Sequence, residues 1–176
     1  VHGVRGLLAD HPDWVVVSTD CRNAYNSVSR GAMLRQLFVQ DPAVERFVMF
    51  FYGQDAELLY GADDGIETIF SRTGSQQGDP LAGLLFSLAI QPVLAQVQAT
   101  AVGEAEGARV LAQIDDVYLV GPREWAAQAY AQMTAAYADI DLAMRDDKGR
   151  IFSPRGIAVQ HTAAARVRRI ADRQPP

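Results

Sequence analysis

Two adjacent carboxylates, Asp115 and Asp116, lie between two short apolar runs in the segment Ala112–Val120. Each run has the length of a single strand, so the acidic pair is predicted at the tip of a tight β-hairpin. Adjacent like charges repel each other and do not stabilise a fold, which favours a functional role for the pair. A third carboxylate, Asp20, ends another apolar run that begins at Trp14.

The position of these three carboxylates raises the hypothesis of a metal site. Where the two strand ends meet, Asp20, Asp115 and Asp116 would form one set of hard oxygen ligands, which suits Mg²⁺ or Mn²⁺. Nucleotidyl transfer commonly uses two such ions, ~3.5–4 Å apart. The alternative for any single aspartate is a turn or helix-cap residue, so the hypothesis depends on whether the two strands pair.

Composition narrows the class of protein further. The chain has 176 residues, of which 49% are apolar, enough for one domain with a buried core. Its net charge of −5 argues against a nucleic-acid partner when taken alone, although carboxylates of a metal site contribute to that total. Cys21 is the single cysteine, which excludes an internal disulfide, and Lys148 is the single lysine. We expect no membrane-spanning run of about 18 apolar residues and an intracellular location, either nuclear or cytoplasmic.

The pattern of apolar residues and breakers predicts the elements in order. They are a helix to residue 10, a strand over 14–19, helices over 30–40 and from 42, a hairpin around 61–65, a helix over 81–98, the acidic hairpin over 109–119, a helix over 123–139 and a strand over 149–153. This order favours an α+β fold, a split βαβ (ferredoxin-like) antiparallel sheet with helices on one face. Residues 160–176 are predicted to form a loose tail.

A second pattern that suits ligand binding covers the segment Gly74–Leu81, directly before the long helix. Gly74 and Gly78 allow close approach of the backbone to a ligand, and the free amides of the following helix face this loop. Gln77 is placed to lie along a base or a sugar. The alternative is a simple turn before a helix that Asp79 caps.

In this order the blocks resemble the palm domain of a reverse transcriptase (an RNA-directed DNA polymerase), most closely those of non-LTR retrotransposons. Asp20–Asn26 resembles the first catalytic block, Ser75–Leu81 the block with a Gln-Gly-Asp-Pro-Leu core, and Ile114–Asp116 the Asp-Asp block. The pair Asp147-Lys148 is a weaker match to the lysine block of the family. The matches cover about residues 14–153, and the ordered set is far more specific than any one block.

The resemblance implies a role for each matched residue. Asp20, Asp115 and Asp116 would be catalytic, metal-binding carboxylates for two Mg²⁺ ions, and Lys148 would protonate the pyrophosphate leaving group. The implied nucleotide-binding residues fall into three groups. The backbone amides of Cys21, Arg22, Asn23 and Ala24 would face the triphosphate. Tyr25 would be a sugar gate that excludes a 2′-hydroxyl, and Gln77 and Gly78 would contact the nucleotide and the template pair. The alternatives are a core aromatic for Tyr25 and a solvated turn lysine for Lys148.

The resemblance also implies a reaction and its partners. The reaction is RNA-directed DNA synthesis from dNTPs by a two-metal mechanism, with an RNA template and a DNA primer as partners. The family places basic fingers segments before the first block and a thumb after the last. We therefore expect residues 1–159 to be a palm fragment, inactive alone, that works with fingers and thumb segments of a complete polymerase.

Two other functions are compatible with a palm-like chain. One is a polymerase-like scaffold that binds RNA without catalysis, but such scaffolds usually lose the metal carboxylates, and all three are present here. The other is a nucleotide cyclase, whose acidic hairpin needs a Gly-Gly approach that Ala112-Gln113-Ile114 lacks. Gln113 also stands where reverse transcriptases often carry an aromatic residue, a departure that concerns the positioning of the primer end.

Overall fold

The computed structural model describes residues 2–63, 65–145 and 147–155. Its elements are α1 His2–Asp10, β1 Val15–Thr19, α2 Ala24–Ser27, α3 Arg30–Gln40, α4 Pro42–Tyr52, β2 Ala56–Ala62, β3 Gly65–Ser71, α5 Ala82–Ala99, a 3₁₀ turn Gly103–Ala105, β4 Arg109–Gln113, β5 Asp116–Gly121, α6 Arg123–Ala138 and β6 Arg150–Phe152. Each predicted helix and strand is present within a few residues of its expected bounds. The predicted tail and its boundary at residue 159 lie outside the described residues.

The main sheet has four strands in the order β4-β5-β1-β6, and every neighbouring pair is antiparallel. Strand β5 lies between β1 and β4, so the unit that joins β1 to β4 through helices is split by a third strand. Strands β2 and β3 form a separate two-stranded sheet. The predicted α+β fold with a split βαβ sheet is therefore confirmed.

The core lies between the main sheet and the helices packed on it. Helix α5 contacts β4, helix α6 contacts β5 and β1, and the two helices contact each other. Strand β1 is a nearly continuous apolar run because it lies in the middle of the sheet, where Val15, Val16 and Val17 are all buried. The largest fully buried side chains include Tyr137, Phe86, Met33, Leu85 and Leu119.

Helix α5 corrects one prediction from the sequence. Its 18 residues have a mean hydropathy of 1.4, long and apolar enough to cross a membrane by length and composition. The expectation that no such segment exists was wrong, because the glutamines that interrupt the apolar run are uncharged and α5 contains no charged residue. In the fold α5 contacts α3, α6 and β4, and it buries Leu85, Phe86 and Ile90 among others, as a core helix does.

Helix α4 begins where its sequence signals predict and buries a narrower face than its composition suggests. The Asp41 carboxylate accepts hydrogen bonds from the backbone N–H groups of Ala43 (3.1 Å) and Val44 (3.2 Å). Val48 is 1% exposed, whereas Phe47 is 57% exposed. Apolar residues at several helical positions thus indicate the helix correctly, while only tertiary packing selects the face that is buried.

The fold predicts a large stability difference between two leucines. Leu119 in β5 is fully buried, whereas Leu59 in β2 is 73% exposed. Leu119→Ala should lower the free energy of unfolding by about 2–5 kcal/mol because it leaves a cavity between sheet and helices. Leu59→Ala should change it by less than about 0.5 kcal/mol. Urea denaturation of both variants measures the difference, and equal midpoints would contradict this assignment of the core.

Candidate active site

Pairing of β1 with β5 brings the ends of two distant segments together. The register pairs Thr19 with Val117 and Ser18 with Tyr118. Continued by one position, it sets Asp20 opposite Asp116, and Asp115 lies in the turn directly before β5. The three carboxylates predicted from the sequence therefore lie at the same end of the same pair of strands.

The carboxylates of Asp20 and Asp116 also share one face of the sheet. Directly opposite residues of an antiparallel pair point to the same side, and side chains alternate along each strand. Asp20 and Asp116 thus follow Ser18 and Tyr118, whereas the buried Thr19 and Val117 point to the opposite face. Asp115 and Asp116 are exposed, so a ligand can reach this end of the two strands.

The acidic end has a measurable electrostatic effect on its neighbours. The pKa of the Cys21 thiol is raised to about 12, first by burial and then by the negative charges of Asp20 and Asp115. The pKa of Tyr25 is raised by burial and, in addition, by the charge of Asp115. Both neighbours therefore report the close approach of Asp115 to the segment that follows β1.

Two cations lie beside the Asp20 carboxylate. Lys148 Nζ lies 3.5 Å from Asp20 Oδ2, and Arg145 Nε lies 4.0 Å from the same oxygen. This oxygen is buried and accepts no hydrogen bond. A buried carboxylate oxygen without a hydrogen-bond donor favours a cation as its partner.

The donor set fits a divalent cation that is completed by substrate. Within residues 2–63, 65–145 and 147–155, no group of three or more His, Cys, Asp or Glu side chains is arranged to hold a metal ion. The roles of Asp20, Asp115 and Asp116 as metal ligands stay a prediction. Mg²⁺ in phosphoryl-transfer sites is held by one or two carboxylates together with substrate phosphates, and the oxygens of Asp20 and Asp115 suit that arrangement.

Tyr25 lies between the acidic end and the loop before α5. Its ring stacks on Phe86, with ring centroids 5.0 Å apart, and the side chain remains partly exposed. Its backbone carbonyl accepts a hydrogen bond from the Ser75 N–H at 2.7 Å. The ring of Tyr25 is thus packed, as expected of a core aromatic. It also lies at the edge of the site, as expected of a sugar gate.

Gly74 allows the loop before α5 to lie directly on the Tyr25 segment. Its φ of +65° is in the left-handed region, and a Cβ at this position would overlap the Tyr25 carbonyl and the Asn26 backbone. Its N–H donates to the Val28 carbonyl at 2.9 Å. The loop is therefore fixed to the segment after β1 by backbone contacts that no residue with a Cβ would allow.

The remaining predicted residues occupy the rim of this region. Gln77 and Gly78 are exposed at the outer side of the loop, with Gly78 at φ +92°. Asn23 has a left-handed backbone (φ 45°, ψ 44°) before the single turn of α2. The Arg22 N–H donates to the Ala143 carbonyl at 2.8 Å, so this amide already has a partner within the protein. Ala24 is buried.

Two arginines near the site were missed from the sequence. Arg145 binds the Asp147 carboxylate through Nε (3.1 Å) and Nη2 (2.7 Å), and its backbone N–H donates to the Asp20 carbonyl at 2.8 Å. Arg30 is buried and donates to the Gly74 carbonyl of the loop. Neither position signals a place near the site in the sequence, since Asp20 lies far from Arg145 along the chain and Gly74 lies far from Arg30.

Comparison with known proteins gives consistent results. The model of the family described as reverse transcriptase (RNA-dependent DNA polymerase) matches residues 4–165. A retrotransposable element SLACS 132 kDa protein of Trypanosoma brucei gambiense is 29% identical over 160 residues, covering 89% of this chain and 13% of that protein. The chain thus spans about an eighth of the length of this relative.

Similar folds occur in solved telomerase structures. Apo telomerase from Candida tropicalis, truncated from its C-terminal domain, has a TM-score of 0.68 and 12% identity, covering 91% of this chain and 35% of the telomerase chain. Candida tropicalis telomerase in complex with a TWJ fragment of telomeric RNA has a TM-score of 0.63 and 13% identity, with coverage of 86% and 28%. At these identities the likeness shows a shared fold.

The raised pKa of Cys21 predicts slow alkylation of its thiol. At pH 9.0 a thiol with the ordinary pKa of 9.0 is half ionised, whereas a pKa of about 12 leaves on the order of one thiolate in a thousand. Iodoacetamide should therefore modify the folded chain more than tenfold more slowly than the urea-unfolded chain.

The pH profile of this alkylation separates charge from access. Asp20→Asn removes one of the raising charges and should move the midpoint of the profile to lower pH. Asp63→Asn, at the exposed turn of the β2–β3 hairpin, is the control and should leave the midpoint in place. A wild-type midpoint near pH 9 would contradict the assigned electrostatics.

Proposed function

Because the chain belongs to the reverse transcriptase (RNA-dependent DNA polymerase) family, we propose that it is the palm domain of an RNA-directed DNA polymerase. The reaction is addition of a dNTP to a primer 3′-hydroxyl opposite an RNA template, with release of pyrophosphate. The observation that carries the proposal is the β1–β5 register, which sets Asp20 opposite Asp116 beside Asp115. A palm with its acidic residues at one end of two paired strands has the ligands that nucleotidyl transfer needs.

We propose that Asp20 and Asp115 hold the divalent cations. Reverse transcriptases in general use divalent metal ions, and Mg²⁺ fits the hard oxygens of these two carboxylates. When bound, the cations supply the Lewis acid that neutralises charge on the phosphates. Asp116, on the same face, contributes negative charge to the site, and the partial burial of Asp20 (35% exposed side chain) strengthens its attraction for a cation.

The nucleotide would lie between the acidic end and the loop before α5. Tyr25 stands beside Asp115, as the effect of that carboxylate on the tyrosine pKa indicates, and its ring is braced by Phe86. We propose that this ring excludes a 2′-hydroxyl by steric contact. Gln77 and Gly78 are exposed on the neighbouring loop and would contact the nucleotide and the template pair.

Lys148 is proposed as the residue that meets the leaving group. Its ammonium lies 3.5 Å from Asp20 Oδ2, and its side chain is 56% exposed, so it can turn from the carboxylate toward a bound phosphate. Arg145 binds the neighbouring Asp147 carboxylate, so this carboxylate does not compete with a phosphate for the lysine. The ammonium would donate a proton to pyrophosphate as the bond to the leaving oxygen breaks.

We propose that catalysis requires a longer polymerase than these 176 residues. The chain covers 13% of its retrotransposable element relative and about a third of the telomerase chain. Affinity for template and primer comes mainly from Lys and Arg on phosphates, and this chain has a net charge of −5. The RNA template and DNA primer would therefore be bound largely by fingers and thumb segments.

The metal role predicts a loss of synthesis in a single variant. Asp115→Asn in the complete polymerase should reduce dNTP incorporation at least a thousandfold, because a neutral amide binds Mg²⁺ weakly. The fold should persist, since Asp115 is an exposed turn residue. Primer extension on an RNA template measures the effect. Asp63→Asn, at the turn of the other hairpin, is the matched control, and appreciable residual synthesis by Asp115→Asn would refute the metal role.

The sugar gate predicts a change in selectivity. Tyr25→Ala removes the ring and should raise the rate of rNTP incorporation relative to dNTP by at least tenfold. Tyr25→Phe keeps the ring and should retain the selectivity of the wild type. Single-nucleotide incorporation with matched dNTP and rNTP measures both ratios, and unchanged selectivity in Tyr25→Ala would remove this role from Tyr25.

A further inference from the structure

Arg30, at the start of α3, is a buried cation that no part of the proposed reaction uses. It is 9% exposed, and among the described residues no carboxylate forms an ion pair with its guanidinium. Burying an unpaired charge is costly unless its donors are satisfied. The contacts of Arg30 must therefore stabilise its buried charge.

The guanidinium joins three separate segments of the chain. Nε donates to the Gly74 carbonyl at 3.0 Å, Nη1 to the Gln54 carbonyl at 3.0 Å, and Nη2 to Ser71 Oγ at 2.9 Å. These acceptors belong to the loop before α5, the end of α4 and the end of β3. The planar fork of arginine is suited to this arrangement, because a lysine ammonium lacks its fixed, diverging donors.

A second contact of Arg30 connects it to the far end of the same loop. Its guanidinium carbon lies 5.4 Å from the centroid of the Tyr52 ring. The Tyr52 hydroxyl forms a short hydrogen bond with the Asp79 carboxylate and accepts one from the Gln76 N–H at 3.4 Å. The loop is consequently held at Gly74 by Arg30 directly and at residues 76–79 through Tyr52.

The same loop is attached to the Tyr25 segment on its other side. The Ser75 N–H donates to the Tyr25 carbonyl at 2.7 Å, and Thr73 Oγ1 donates to the Asn26 carbonyl at 2.9 Å. Arg30 therefore holds one side of the loop, and the other side is hydrogen-bonded to the backbone of Tyr25, the proposed sugar gate. Gln77 and Gly78 lie between Gln76 and Asp79, the two residues of the loop that Tyr52 contacts.

From these contacts we propose that Arg30 is a positioning residue for the nucleotide site. It sets the distance between the Tyr25 ring and the Gln77-Gly78 edge, and thereby the fit of the incoming dNTP. Arg30 does not touch the nucleotide or the metal carboxylates and acts through the loop. The proposal rests on the proposed polymerase function, since it concerns the binding of that substrate.

The test compares Arg30→Lys and Arg30→Met with the wild type in the complete polymerase. Both variants should raise the KM for dNTP at least tenfold with kcat changed less than threefold, and both should lower the discrimination against rNTP. Arg72→Met is the matched control. Arg72 lies one residue beyond Ser71, is 66% exposed and pairs with Asp55 at 3.0 Å, so its loss should leave KM and selectivity unchanged.

A second readout follows the loop itself. In the 176-residue chain, hydrogen exchange at the Gly74 and Ser75 amides should quicken at least tenfold in Arg30→Lys, while exchange in β1 and β5 stays as in the wild type. Arg30→Lys serves if Arg30→Met does not fold, because it keeps the charge and part of the bonding. A lower melting temperature with unchanged KM, selectivity and loop exchange would overturn the proposal and leave Arg30 as a structural residue.

The two proposals fail in different ways. If the polymerase function is wrong, the wild type does not incorporate dNTP, or Asp115→Asn incorporates it equally well, while the exchange measurement still reports on the loop. If the function is right and the positioning role is wrong, the wild type is active and depends on Asp115, and Arg30→Lys matches it in KM and in rNTP discrimination.

Discussion

The antiparallel pairing of β1 with β5 is the interaction on which the rest of the molecule depends. It joins segments about a hundred positions apart, Thr19 with Val117, and a Thr19 Oγ1 hydrogen bond to the Val117 carbonyl (3.1 Å) fixes the same register from a side chain. A slip of one residue would turn Asp20 to the opposite face of the sheet, because side chains alternate along a strand. The buried valines and the acidic end are therefore specified together.

The negative charge of the acidic end affects the groups around it, and nearby cations offset part of it. Burial and then the negative charges of Asp20 and Asp115 raise the pKa of the neighbouring Cys21 thiol. Lys148 and Arg145 lie on the segment that leads to β6, where they offset part of this charge. Strand β6 pairs with β1. The sheet that brings the carboxylates together therefore also places Lys148 and Arg145 near them.

The loop before α5, which forms the other side of the candidate site, is held by contacts of a different kind. The loop before α5 has few side chains that enter the core, and it owes its position to backbone hydrogen bonds, to Gly74 and to Arg30. Helix α5 then continues from the loop into the core, where Phe86 supports the ring of Tyr25. The proposed sugar gate at Tyr25 is thus connected to the packing of the core.

The sequence by itself determined the elements and most of the candidate site, because those signals are local. Asp41-Pro42 starts a helix with atoms two or three residues away, alternating apolar residues mark strands, and the acidic hairpin carries its own turn. The tertiary structure alone decided that Asp20 is set opposite Asp116, that Val48 and not Phe47 is buried, and that Arg30 and Arg145 bind near the site. Each of these depends on groups separated by many residues, whose approach is set by the packing of the whole sheet and its helices rather than by any neighbouring residue.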